Sequence, residues 1–205
     1  DGEQGYPGAV KTVARYEWTE ECELRLTLTA ESDAPTVINL TNHAYFNLAG
    51  KGDILAHELM INADAYTPID ENSIPTGEIR PVEGTPFDFR VAKPIGQDID
   101  ADCEDLHKAG GATSGGYDHC FNFAGGKSGE PAVKRGEAYD DRSGIVLELY
   151  TNSPCVQLYT GNFIDNELGK DGVVYPKRAG ICLETQFYPD SVNHSEWPQP
   201  FVKAG

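Results

Sequence analysis

The chain alternates polar and apolar residues over short segments that turn residues interrupt. In Cys22–Ala30 (CELRLTLTA), Leu24, Leu26 and Leu28 fall on one side, with charged and hydroxylated residues on the other. A period of two residues is typical of a half-buried β-strand. The preceding segment Lys11–Trp18 alternates in a similar way, and only Thr-Glu-Glu lies between that hydrophobic pattern and Cys22. The pattern therefore predicts an antiparallel hairpin.

Glycine and proline interrupt the rest of the chain, with 22 and 13 residues respectively among 205. So many breakers, with no amphipathic segment longer than about two helical turns, favour strands joined by loops. The best helical candidate is the short segment Ala101–Ala109. Further strands, rich in β-branched and aromatic residues, are predicted at Pro35–Thr41, His57–Asp64, Ala65–Asp70, Gly144–Asn152, Cys155–Phe163 and Ala179–Pro189. This organisation predicts an all-β sandwich whose long loops carry the functional residues.

The charge balance narrows the classes of partner. The sequence has 33 acidic and 16 basic residues, for a formal net charge of −17. Such a surface repels the phosphates of nucleic acids and anionic membranes, so neither is expected as a partner. No apolar run approaches the roughly 18 residues that a membrane-spanning helix needs. An uncharged or cationic small molecule is the partner that the charge favours.

Cysteine and histidine spacing gives no sign of a structural metal site. The five cysteines are odd in number, scattered and without a C-x-x-C pair, which favours a reducing compartment and hence the cytoplasm. The five histidines show no H-x-H or H-x-x-x-H spacing, so a metal site would need ligands from distant segments. We therefore expect no metal and no organic cofactor.

One segment begins like a calcium-binding loop. Asp98, Asp100 and Asp102 alternate as the first ligands of an EF-hand loop do. Cys103 stands where that loop needs glycine, and Ala109 stands where it needs a bidentate glutamate. The segment is therefore not expected to bind calcium.

Three other stretches place ionisable groups among apolar and aromatic residues. They contain His43 (NLTNHAYFNLAG), Asp118 (GGYDHCFNF) and Glu184 (AGICLETQFYP). By alternation, Glu184 shares a strand face with Cys182 and Gln186, and a carboxylate in an apolar strand is paired or functional because burying a lone charge is costly. Each residue also has an ordinary interpretation: a structural histidine at a strand end, a turn aspartate, and a glutamate that faces water.

Taken in order, these stretches resemble the galactose mutarotase (aldose 1-epimerase) family. The resemblance covers nearly the whole chain and rests on DGEQGYPG, NLTNHAYFNLAG, GYDHCF, VQLYTGNF and YPKRAGICLETQFYPDSVN. It implies a large antiparallel β-sandwich, with His43 as general acid and Glu184 as general base. It further implies that Asp118 and Gln157 bind sugar hydroxyls and that Tyr45 lies in the sugar-lining segment.

The chemistry that the resemblance implies suits these residue types. An aldose ring opens when O1 loses a proton while the ring oxygen gains one, and closure on the other face of C1 gives the other anomer. This requires one acid and one base, expected about a sugar ring apart. A histidine and a glutamate whose pKa is raised by burial can fill these roles and exchange them, without a cofactor.

The sequence departs from the family pattern at its ends. The family's arginine–asparagine pair and its His-Gly-Gly segment have no counterpart among these residues, and FVKAG stops before the family's last strand. We therefore expect residues 1–205 to form a single, incomplete β-sandwich domain that pairs with the missing segment or self-associates. A carbohydrate-binding module without turnover and a structural fragment needing a partner chain are the alternatives.

Overall fold

A computed structural model describes residues 2–110, 115–127 and 129–205, which form two compact units, 42–190 and 1–41 with 191–205. The strands are β1 Val10–Trp18, β2 Leu24–Ser32, β3 Thr36–Val37, β4 Glu58–Ile61, β5 Ala65–Thr67, β6 Arg80–Pro81, β7 Lys93–Pro94, β8 Asp118–Asn122, β9 Val133–Tyr139, β10 Val146–Thr151, β11 Cys155–Tyr159, β12 Glu167–Leu168, β13 Val174–Tyr175, β14 Cys182–Gln186 and β15 Phe201–Val202. The α-helix is α1 Glu104–Gly110, and 3₁₀ turns occur at Glu3–Gly5, Ile95–Gln97, Lys170–Gly172 and Ser191–Asn193. None of the helices described is long and apolar enough to cross a membrane.

Unit 42–190 contains two antiparallel sheets around one hydrophobic core. One sheet has the strand order β10-β9-β4-β7, the other has β14-β11-β8-β5-β6, and β12 pairs with β13 separately. Both sheets supply core residues, among them Leu59 and Ala138 from the first, and Phe121, Leu158 and Leu183 from the second. The predicted all-β sandwich is confirmed. The predicted helix at 101–109 is also confirmed, although it begins at Glu104 and ends at Gly110.

The five-stranded sheet determines where the polar residues of the three stretches lie. Because successive side chains of a strand point to opposite faces, the core residues of β8, β11 and β14 alternate with a second, mostly polar set. On the face turned away from the core, this set forms three cross-strand rows, Asp118–Tyr159–Cys182, Cys120–Gln157–Glu184 and Asn122–Cys155–Gln186. Asp118 begins β8, so the interpretation of this residue as part of a turn is wrong.

Unit 1–41 with 191–205 contains the predicted hairpin. Strands β1 and β2 pair without interruption from Val10 opposite Ser32 to Trp18 opposite Leu24. The burial is shallower than the alternation predicts, because Leu24 is 56% exposed and none of the strand's leucines is fully buried. The predicted strand at 35–41 shortens to β3, which pairs with β15.

Candidate active site

The histidine of the first stretch lies in a segment that is fixed to the start of β14. Phe46 and Ile181 exchange two backbone hydrogen bonds, with N···O distances of 2.8 and 2.9 Å. The side chain of Asn47 adds a third link, since its Nδ2 donates to the carbonyl oxygen of Ala179 at 2.9 Å. These contacts hold His43 beside the strand that carries the glutamate of the third stretch.

A glycine allows this segment to approach the strand closely. A Cβ atom at Gly180 would lie 3.2 Å from Cβ of Tyr45, closer than most such contacts in proteins. The ring of Tyr45 stacks on that of His43, with centroids 5.2 Å apart and planes inclined by 20°. Tyr159 meets the His43 ring edge-on at 6.4 Å. The aromatic groups thus restrict the orientation of the imidazole.

Strands β8 and β11 supply a second polar pair. The register places Tyr159 opposite Asp118 and Gln157 opposite Glu184. Nε2 of Gln157 donates to Oδ1 of Asp118 at 2.8 Å, which fixes the orientation of the amide. Oε1 of Gln157 is buried and has no hydrogen-bond donor among the described residues. The pair therefore retains capacity for further hydrogen bonds.

All five site residues predicted from the sequence converge on one open cleft of about 420 Å³, within the range of about 300–1,000 Å³ that small-molecule sites occupy. The cleft is lined by His43, Tyr45, Asp118, Gln157, Tyr159, Phe163, Glu184, Gln186 and Pro189. Sequence reasoning did not assign Tyr159, Phe163, Gln186 and Pro189 to the site. Alternation could have found Tyr159 and Gln186, since each lies two residues from a predicted site residue on the same strand.

The histidine and the glutamate are in contact, with Nε2 of His43 3.5 Å from Oε1 of Glu184. The side chain of His43 is 54% exposed and that of Glu184 only 11%. Burial raises the pKa of Glu184, His43 opposes this shift, and the charge of Asp118 adds to it. Burial also raises the pKa of Asp118, and its hydrogen bond from Gln157 opposes that shift. Because burial raises its pKa, the carboxylate of Glu184 is a better proton acceptor than an exposed glutamate, as a general base requires.

Two aspartates of the acidic segment 98–102 form ion pairs. Oδ2 of Asp98 lies 2.7 Å from Nζ of Lys93, and Asp100 accepts two hydrogen bonds from the guanidinium of Arg178. These carboxylates therefore pair with cationic side chains of the same unit.

Comparisons with known proteins agree with this geometry. Residues 1–205 match the family model described as Aldose 1-epimerase. Over 208 aligned residues, the chain is 46% identical to galactose mutarotase of Mus musculus, 44% to that of Homo sapiens, and 38% to aldose 1-epimerase of Escherichia coli (strain K12). Each match covers 100% of this chain, but only 57% of the two mammalian proteins and 58% of the bacterial one.

Two solved structures are similar over the whole described fold. A crystal structure of an aldose epimerase homologue from C. elegans superimposes with a TM-score of 0.84 at 29% identity, covering 98% of this chain and 57% of that one. A galactose 1-epimerase from Lactobacillus acidophilus NCFM gives 0.81 at 31% identity, covering 100% and 56%. The chain thus spans a little over half the length of these relatives.

Proposed function

Because the chain belongs to the aldose 1-epimerase family, we propose that it carries the acid–base centre of an enzyme that interconverts the α and β anomers of a free hexose, such as galactose or glucose. The contact between His43 and Glu184 in the cleft supports this proposal most strongly. A general acid and a general base must both reach the hemiacetal carbon, and these two side chains meet at the cleft wall.

In the proposed mechanism, the carboxylate of Glu184 takes the proton from the O1 hydroxyl of the sugar. As the C1–O5 bond breaks, protonated His43 gives its proton to the ring oxygen O5, and an open-chain aldehyde forms. Rotation about the C1–C2 bond presents the other face of the aldehyde. Ring closure then reverses both proton transfers: His43 takes the proton from the O5 hydroxyl and Glu184 returns a proton to O1.

The distance between the two groups is shorter than the sequence predicts. The reaction predicts an acid and a base about a sugar ring apart, but Nε2 of His43 and Oε1 of Glu184 lie 3.5 Å apart. The shorter distance fits the reaction, because O1 and O5 are both bonded to C1 and each group must reach one of them. The proposed proton transfers change no oxidation state, so the proposed reaction needs no redox cofactor.

Recognition of the sugar is proposed to rest on the neighbouring polar pair and on the tyrosine. Asp118 and Gln157 are held together by their own hydrogen bond and lie in the same cleft, so they present acceptors and donors in a fixed arrangement to sugar hydroxyls. Tyr45 offers an aromatic face at the cleft beside the proposed acid. Such flat apolar and polar surfaces together are suited to an uncharged, hydroxyl-rich ligand.

The test is polarimetry on freshly dissolved α-galactose, with the protein as encoded, including any sequence beyond these 205 residues. Glu184→Gln keeps the shape of the side chain but cannot accept a proton, and we expect it to abolish the catalysed rate while sugar binding persists. His43→Asn should behave in the same way. Glu167→Gln, which changes an exposed glutamate outside the cleft, is the matched control. A near-normal rate for Glu184→Gln would refute the assignment of the base; sugar binding without turnover in the unmutated protein would favour a carbohydrate-binding module instead.

We also propose that residues 1–205 belong to one β-sandwich domain, since a single family model matches all of them. The net charge of −17 supports a neutral sugar, rather than nucleic acid or an anionic membrane, as the partner. Five unpaired cysteines support a reducing compartment, the cytoplasm. Exposed apolar side chains on β1 and β2, including Val13, Tyr16 and Trp18, support pairing with further polypeptide or self-association.

A further inference from the structure

A buried thiol, Cys182, lies beside His43 and Glu184 of the cleft and completes a group of three side chains that carry metal-ligating atoms. Cys182 and Glu184 are two residues apart on β14 and therefore point to the same face, while His43 reaches them from the segment fixed to β14. One ligand atom from each of the three residues lies within 4.8 Å of the other two. The group is assembled from segments 139 positions apart (182 − 43), so histidine and cysteine spacing in the sequence gave no sign of it.

We propose that His43, Cys182 and Glu184 bind a thiophilic divalent cation of the Zn²⁺ class, which blocks the proposed acid–base centre. Zinc binds thiolate at about 2.3 Å and imidazole or carboxylate at about 2.0–2.2 Å, so tetrahedral coordination separates ligand atoms by about 3.3–3.6 Å. The His43–Glu184 pair already lies at 3.5 Å. The remaining separations, of up to 4.8 Å, need a contraction on the order of 1 Å.

The identity of the ligands selects the class of cation. Calcium and magnesium take sets of oxygen ligands, whereas a mixed sulfur, nitrogen and oxygen set suits zinc and its neighbours in the transition series. Three protein ligands leave a fourth position for water, which the open cleft can supply. The half-exposed imidazole of His43 can slide on the Tyr45 ring while it stays stacked there, and the buried side chains of Cys182 and Glu184 supply the other two ligands.

Binding of the cation and the proposed proton transfers exclude each other. The metal would coordinate the imidazole nitrogen and the carboxylate oxygen that the reaction requires, and the thiol would lose its proton to solvent on coordination. The cation would therefore inhibit turnover and compete with the sugar. The binding itself does not rest on the proposed function, because it needs only the three ligand atoms in place.

The experiment uses Co²⁺ alone as a spectroscopic substitute for Zn²⁺, with the protein as encoded. Coordination of a thiolate to Co²⁺ produces a charge-transfer absorption in the near ultraviolet that imidazole and carboxylate ligands do not give. We expect this band to saturate at one equivalent of Co²⁺ and to disappear on addition of Zn²⁺. Cys182→Ser should abolish it, and His43→Gln should weaken Co²⁺ binding at least tenfold.

Two cysteines outside the group provide matched controls. Cys22 is exposed and Cys103 half-buried, and Cys22→Ser and Cys103→Ser should each leave the band and the affinity unchanged. Loss of the band in either control, or its persistence in Cys182→Ser, would overturn the proposal. If Cys182→Ser fails to fold, His43→Gln decides, because its side chain is more than half exposed; an unchanged affinity there would equally overturn it.

Polarimetry of the same samples separates this inference from the proposed function. Co²⁺ binding through Cys182 in a protein without mutarotation would uphold the metal site and count against the proposed function. Mutarotation without a thiolate band would uphold the proposed function and overturn the metal site. If the protein both binds Co²⁺ through Cys182 and catalyses mutarotation, a higher galactose concentration should raise the Zn²⁺ concentration needed for half-inhibition. A mutarotation rate that Zn²⁺ does not lower would refute the proposal that the cation blocks the acid–base centre.

Discussion

Replacement of Asn47 by alanine tests whether this side chain holds the His43 segment in place. Nδ2 of Asn47 donates to the carbonyl oxygens of Ala179 at 2.9 Å and Gly52 at 3.0 Å, and Oδ1 accepts from the amide of Ala49 at 3.0 Å. Each hydrogen bond contributes about 0.5–1.5 kcal/mol, and the carbonyl of the buried residue Ala179 would lose its hydrogen bond from Asn47. Water can replace the Asn47 side chain at the exposed carbonyl of Gly52. We therefore expect Asn47→Ala to lower the free energy of unfolding by about 2–3 kcal/mol.

For a chain of this size, 1 kcal/mol corresponds to about 2–4 °C in Tm, so Asn47→Ala should lower Tm by about 4–12 °C. Thermal unfolding followed by circular dichroism measures this change. Asn152→Ala is the matched control, because its Nδ2 makes one exposed hydrogen bond, to the carbonyl of Glu130. That variant should lose under about 1 kcal/mol.

Hydrogen exchange provides a local measurement alongside the global one. The amides of Phe46 and Ile181 bond each other's carbonyls beside Asn47, so both should exchange faster in Asn47→Ala than in Asn152→Ala. If the two variants share the same Tm and the same exchange rates at these amides, Asn47 does not anchor the segment and the reasoning fails.

Three further predictions concern pH, packing and chain length. Because burial raises the pKa of Glu184, its folded state holds the proton more tightly, and the stability gained below its ordinary pKa is lost as pH rises through the raised value. The Tm of the unmutated protein should therefore fall relative to that of Glu184→Gln as the pH rises above the ordinary pKa of a glutamate, about 4.3, and a difference that stays constant with pH would contradict this sign. Gly115→Ala would place a Cβ 1.8 Å from the carbonyl oxygen of Ile99. It should therefore prevent folding or lower the free energy of unfolding, measured by chemical denaturation, by on the order of 3 kcal/mol or more. A Tm within 2–3 °C of the unmutated value, which corresponds to roughly 1 kcal/mol, would exclude that clash. The 205 residues alone should show little or no mutarotation by polarimetry, because the family's arginine and second histidine have no counterpart in them. Two lost hydrogen bonds at about 0.5–3 kcal/mol each weaken sugar binding by about fivefold or more. A rate equal to that of a longer polypeptide would make those residues dispensable.

Local alternation predicted the strand faces well where one face is strongly apolar. The assignment of Cys182, Glu184 and Gln186 to one face of β14 needed only the period of two residues, and the register confirms it. The same reasoning missed β9 (VKRGEAY) entirely. Its core-facing positions hold Gly136 and Ala138, which are too small to produce an apolar signal.

The structure gives a physical reason for those small residues. A Cβ at Gly136 would lie 3.0 Å from the carbonyl oxygen of Met60 on the neighbouring strand β4, so the close approach of the two strands favours glycine. On β9, Lys134 pairs with Glu137 and, on β10, with Glu148. A strand of charged and small residues, with one cross-strand ion pair and a close backbone approach, has the composition of a loop, and hydrophobic periodicity cannot identify it.

The site was predictable by resemblance and by residue type, but its geometry was not. His43 meets Glu184 across 141 positions of sequence (184 − 43), and the backbone pairing that brings the two segments together is the isolated bridge between Phe46 and Ile181. An isolated bridge has no periodic pattern, because it involves one residue on each side. Sequence analysis could therefore propose an acid and a base but not that they touch, nor that a thiol lies beside them.

The bridge also links the two proposals made for the cleft. Proton transfer and cation binding both require the imidazole of His43 to stay within a few ångströms of β14, although they use it differently. Loosening the segment with Asn47→Ala should therefore reduce the rate of mutarotation and the affinity for Co²⁺ together, whereas Cys22→Ser should change neither. If Asn47→Ala reduced the rate but left Co²⁺ affinity intact, the cation would hold the segment in place by its own coordination. If neither fell, His43 would be positioned by its stacking on Tyr45 rather than by the backbone anchor.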